Sequence, residues 1–82
     1  MIAPTKGIAP QRALLTVGAQ ISLILTEPMT VSQAWFSLKA WRVRHSNDDI
    51  LPFYWFVLAL DTLFTIGAVN FENGLLHRKR AI

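Results

Sequence analysis

Apolar residues recur at helical spacing three times along the chain, and each run is closed by residues that break helices. Between Pro10 and Leu25, the positions Leu14, Val17, Gly18, Ile21, Ile24 and Leu25 share one face. This predicts a first helix with Pro10 in its opening turn, where a missing N–H leaves no bond unmade. Glu27-Pro28 stops it. Thr30 followed by Gln33 has the spacing of a capping box, in which each side chain satisfies an orphan backbone N–H, so a second helix is predicted to open near Val31. Its inner stripe is Val31, Ala34, Trp35, Leu38 and Trp41. It fades through Arg42 and Arg44, cations suited to the negative end of a helix dipole, into the turn-forming cluster Ser46-Asn47-Asp48-Asp49. Pro52 is placed as the first residue of a third helix, with Phe53, Phe56, Val57, Leu60, Leu63 and Phe64 as its core face. Gly67 supplies the left-handed cap beyond Ile66.

The period then changes. Ala68-Val69-Asn70-Phe71 is a β-prone run, Asn73-Gly74 is a strong two-residue hairpin signal, and Leu75 to Lys79 is the returning strand. The predicted fold class is α+β, mostly α, with three helices and a C-terminal β-hairpin in the order of a winged helix-turn-helix. A plain three-helix bundle with a frayed tail is the alternative. Residues 1–9, which include Pro4 and Gly7, are predicted to be an extended N-terminal docking arm, and residues 10–82 a single winged-helix-like domain.

Composition narrows the function. Eighty-two residues allow one modest core. With no cysteine, two histidines and five acids, there is no disulfide framework and no convincing metal site. No Gly-rich phosphate loop, HExxH or nucleophile elbow is present, and Asp48-Asp49 is more simply a turn and cap than a catalytic pair. The expectation is a protein that is not an enzyme and carries no cofactor. Hydrophobic residues make up 52% of the chain and charged ones 16%; ordinary soluble domains carry about 25% charged residues, so this chain is unusually apolar for a monomer. The stretches free of charge, Ala13 to Thr26 and Ile50 to Leu60, fall short of the roughly 20 residues a spanning helix needs, and extending the second brings Asp61 near its middle. Lys6 and Arg12 ahead of an apolar run imitate a signal peptide, but no small-residue cleavage pattern follows. A mature cytoplasmic chain that does not enter a membrane is expected.

A DNA-reading third helix would carry Arg, Lys, Asn or Gln for base edges. This one has none, and its single charge, Asp61, would repel phosphate. Placing residues about 100° apart puts Trp55, Leu58 and Thr62 opposite the assigned core face, flanked by Tyr54 and Asp61. The same arithmetic gives a second apolar stripe on the first helix, Leu15, Ala19 and Leu23, and on the second helix, Phe36, Ala40 and Val43. Leu15, Leu23, Phe36, Val43, Tyr54, Trp55, Leu58, Asp61 and Thr62 are therefore the candidate protein interface, Trp and Tyr being enriched at interface hot spots. Arg78, Lys79 and Arg80 are candidates for nonspecific contact with a nucleic-acid backbone, although such a run is commonly a solvated end. His45 and His77 are isolated in sequence. The rival reading is a winged-helix transcriptional regulator that touches DNA through the basic hairpin.

Several segments together resemble the middle components of ABC-three-component systems, in particular the type numbered six. They are Ala3-Pro4-Thr5-Lys6-Gly7, Arg12-Ala13-Leu14-Leu15 with Gly18-Ala19, Glu27-Pro28 with Thr30-Val31-Ser32, and Trp55-Phe56-Val57-Leu58-Ala59-Leu60-Asp61 leading to Gly67 and Asn73-Gly74. The resemblance covers nearly the whole chain and rests on the order and spacing of these pieces. It implies a companion of an SMC-like or ABC ATPase in a Lamassu-like anti-phage defence system, beside a third component with a nuclease-like effector. Any DNA contact would then be indirect or nonspecific, and the N-terminal motif would be a docking arm. Phe36, Ser37 and Leu38 depart from the charged second-helix surface expected for the family.

Overall fold

A computed structural model describes residues 10–45 and 50–79. Helices α1 (Pro10–Ile24), α2 (Val31–Arg44) and α3 (Phe53–Thr65) are followed by strands β1 (Val69–Glu72) and β2 (Leu75–Arg78). The molecule is thus α+β and mostly helical, with the hairpin in place of a frayed tail. The docking arm assigned to residues 1–9 and the turn at Ser46-Asn47-Asp48-Asp49 lie outside the described residues.

Local chemistry explains most boundaries. At the start of α2 the Thr30 hydroxyl accepts from the Gln33 N–H at 3.1 Å, and the Gln33 side chain accepts from the Thr30 N–H at 2.9 Å. Two orphan donors are satisfied reciprocally. Pro52 is the N-cap of α3 rather than its first helical residue: its backbone is extended, at φ −63° and ψ 143°, while its carbonyl already accepts from Trp55 at 3.0 Å. At the other end Gly67, at φ +78°, turns the chain into the left-handed region. The Gly67 N–H donates to Phe64 O at 3.1 Å and the Ala68 N–H to Leu63 O at 2.8 Å, the paired bonds that satisfy the last carbonyls of a helix.

The hairpin follows directly. Val69 pairs with Arg78, Asn70 with His77, Phe71 with Leu76 and Glu72 with Leu75. Asn73 and Gly74 both adopt positive φ, 54° and 77°, as a two-residue turn matched to strand twist requires. A feature without a sequence signal lies on the far side of β2, where Met29 and Leu76 exchange backbone hydrogen bonds of 3.2 and 2.7 Å. The link between α1 and α2 is thereby tied to the hairpin, and Leu76 becomes fully buried.

Helix α1 is the central element, with α2 and α3 both packed on it. Its face of Val17, Ile21 and Ile24, with Leu25 just beyond its end, meets Leu38 of α2, Phe56 and Leu63 of α3, and Leu76 of β2 in one core. The rotation of α3 differs from expectation. Its core side is Trp55, Phe56, Ala59, Leu60 and Leu63, whereas Phe53, Val57 and Phe64 are exposed. The helix is apolar nearly all round, so hydrophobic spacing alone does not fix which side faces in.

Candidate functional site

The corrected rotation bears first on Trp55. Assigned from sequence to the interface, it is 2% exposed and belongs to the core beside Phe56 and Ala59. What α3 presents to solvent is Tyr54, Val57, Leu58 and Asp61, with Phe53 and Phe64 at the flanks. Thr62 is half-buried, and its hydroxyl donates to the Leu58 carbonyl at 2.9 Å.

The other two stripes lie where the helical arithmetic puts them. Leu15 and Leu23 are exposed on α1, and Phe36 and Val43 on α2, at 64% and 76% of their full accessibility. Each stripe is on the side of its own helix away from the core. The candidate residues therefore lie on the outer sides of all three helices, with Leu23 of α1 and Ala40 of α2 lining one shallow concavity. Chain spacing misses the aromatic seam between α2 and α3, where the Trp35 ring centroid lies 5.1 Å from both Phe53 and Phe56. Lys39 rests its ammonium 5.0 Å from the Trp35 ring and 4.7 Å from the Phe36 ring, so a cation covers part of the α2 stripe.

Chain spacing also leaves a buried polar pair unremarked. Arg42 is 5% exposed and donates through Nη1 to Gln20 Oε1 at 2.7 Å, joining α2 to α1 inside the core. The signal was present, since Arg42 continues the Ala34 and Leu38 stripe and Gln20 falls on the inner side of α1.

The basic tail has a partly structural job. Arg78 Nη1 donates to the Ser22 carbonyl at 2.9 Å, one of the free carbonyls at the C-terminal end of α1, where a cation is favoured. Arg78 and Lys79 border a shallow groove of about 600 Å³ with Ser22, Thr26, Glu27 and Pro28. Arg80 lies outside the described residues. His45 stacks on Trp41 at 4.0 Å and caps α2, with its ring Nδ1 2.9 Å from the Trp41 carbonyl. Among the described residues, no group of three or more His, Asp or Glu side chains is placed to hold a metal ion, and no helix is long and apolar enough to cross a membrane.

A small, mostly helical chain with large apolar side chains exposed on every helix leaves more apolar surface in solvent than soluble monomers usually do. Its sequence places it more closely. The family model for the ABC-three component (ABC-3C) system Middle Component 6 matches residues 3–80, so the chain belongs to that family of middle components, which work within a multi-component system. No curated protein matches the chain, and no solved structure does.

Proposed function

We propose that this middle component is a noncatalytic cytoplasmic adaptor in a prokaryotic defence complex of the Lamassu kind. It bridges an SMC-like or ABC ATPase and a nuclease-like effector through its apolar helix faces. The observation that carries the reading is the set of large apolar side chains left in solvent on all three helices, Leu15, Leu23, Phe36, Val43, Tyr54 and Leu58 among them. Large contiguous exposed apolar patches are uncommon on soluble monomers and usually mark interaction sites. Family membership supplies the context, a subunit that works inside a multi-component system.

Coexpression of the full chain with the products of its neighbouring genes, followed by size-exclusion chromatography with mass determination, tests the proposal. Co-elution with an ATPase subunit, lost on Leu58→Asp, is the expected result. A free, well-behaved chain that ignores its neighbours overturns it.

A further inference from the structure

The exposed face of α3 carries one charge, and its position describes the partner. At about 100° per residue, the centre of the buried arc formed by Trp55, Phe56, Ala59, Leu60 and Leu63 lies almost diametrically opposite Asp61. Asp61 is therefore the middle of the outward face. Val57 and Leu58 sit one turn before it and Phe64 one turn after, all exposed, with Tyr54 two turns before on the same line.

The two threonines nearby do not help the carboxylate. Thr62 donates its hydroxyl to the Leu58 carbonyl and Thr65 donates to the Asp61 backbone carbonyl, each at 2.9 Å. Among the described residues the Asp61 carboxylate has no hydrogen-bond or ion-pair partner. In water that is harmless. Under an apolar cover it is not, because an ionised carboxylate loses its hydration and needs a cation or donors in return.

We propose that the outer face of α3 docks an amphipathic helix of a different polypeptide, one with a lysine or arginine in the middle of its apolar stripe. The inference rests on the reading of this face as an interface and names the chemistry of what covers it. A helix fits because the face is a ridge of residues three and four apart, the relief into which the ridges of a second helix pack. It extends for 13 residues, or about 20 Å at the helical rise. A second copy of this chain fits poorly. A two-fold axis through the centre of the face sets Asp61 against its own mate, and residues 50 to 77 contain no Lys or Arg to offset the pair.

Two synthetic amphipathic peptides of about 18 residues test this against the full chain; they share a leucine stripe and differ only in Lys or Glu at its centre. Binding is read by calorimetry and mapped by amide shift changes. The lysine peptide is expected to bind at least about tenfold more tightly, since like charges brought together in an interface are strongly disfavoured. Its shifts should map to residues 53–65. Asp61→Asn should erase the preference with the fold retained, and Asp61→Lys should invert it. Equal binding of the two peptides, no binding, or shifts confined to α1 or α2 overturns the proposal. So does a free chain that is already a dimer and becomes monomeric on Leu58→Asp. Failure of the chain to co-elute with neighbouring subunits counts against the adaptor role and leaves the peptide preference standing, so the two ideas fail separately.

Discussion

Trp55 and Leu58 are three residues apart on α3 and lie on either side of its waterline, one 2% and the other 42% exposed. Their substitutions should therefore behave differently. Trp55→Ala empties a large volume in the core, for which losses of about 3 to 5 kcal/mol are typical. Against the 5 to 15 kcal/mol or so of stability a small domain possesses, that is a large share, visible as a lowered midpoint when helical circular dichroism is followed in a urea titration. Leu58→Asp removes no core atom, and the same measurement should place it within roughly 0.5 kcal/mol of the parent chain. Arg42 provides a second contrast. Arg42→Met strands the buried Gln20 carbonyl oxygen and should lower stability by about 1 to 3 kcal/mol in urea titrations, while Arg44→Met, at an exposed site two residues on, should change little. At this scale the sequence is read well where a polar residue interrupts an apolar stripe and poorly where none does. Leu15, Leu23, Phe36 and Val43 are exposed as their helical positions predict, because Arg12, Gln33, Lys39 and Arg44 share the outer sides of those helices. In α3 the mark of the water side is Asp61 alone. Counting half a helical circle from it lands between Trp55 and Leu63, on the observed core, whereas counting apolar neighbours lands on Phe53 and Phe64.

Caps and turns act over a few residues, which is why the limits of α2, the end of α3 and the hairpin could be anticipated from short motifs. Thr30 is the clearest case. Thr30→Ala deletes the acceptor for the Gln33 N–H and should lower stability by about 1 kcal/mol, while Thr30→Ser keeps the oxygen and should recover most of it, both read from urea midpoints. Pro52 shows the limit of such motifs. A proline near a helix start suits the first helical position and an extended cap almost equally, and its observed ψ of 143° decides for the cap. The bridge between Met29 and Leu76 had no local signal, since it joins positions far apart in the chain through backbone atoms that every residue carries. It nonetheless fixes where the hairpin sits, by holding the α1–α2 link along β2 while Arg78 reaches back to Ser22. These two long-range attachments set the hairpin against the end of α1.

On the scale of the whole molecule, the excess of cations is modest and spread out. The net charge is +3, and residues 50 to 77, which include α3, contain no Lys or Arg. Arg78 uses one Nη at the end of α1, and Lys39 lies over aromatic rings. A reader of DNA sequence needs donors aimed at base edges, and α3 presents Tyr54, Val57, Leu58 and Asp61 instead. The expected behaviour toward duplex DNA is weak, sequence-blind attraction by the tail. If two or three cations act together, the logarithm of the binding constant should fall by about 2 to 3 per decade of salt, which a fluorescence anisotropy series between 50 and 200 mM salt would resolve. Neutralising Arg78, Lys79 and Arg80 together should remove most of that slope, whereas Leu58→Asp, which is expected to abolish co-elution with an ATPase subunit, should barely alter it. Tight, operator-specific binding that survives high salt would instead support the regulator reading. Separating the two surfaces in this way matters for an adaptor: a chain held in its complex by apolar faces keeps its partners as salt rises, because hydrophobic contact is not screened, while any hold on DNA lapses.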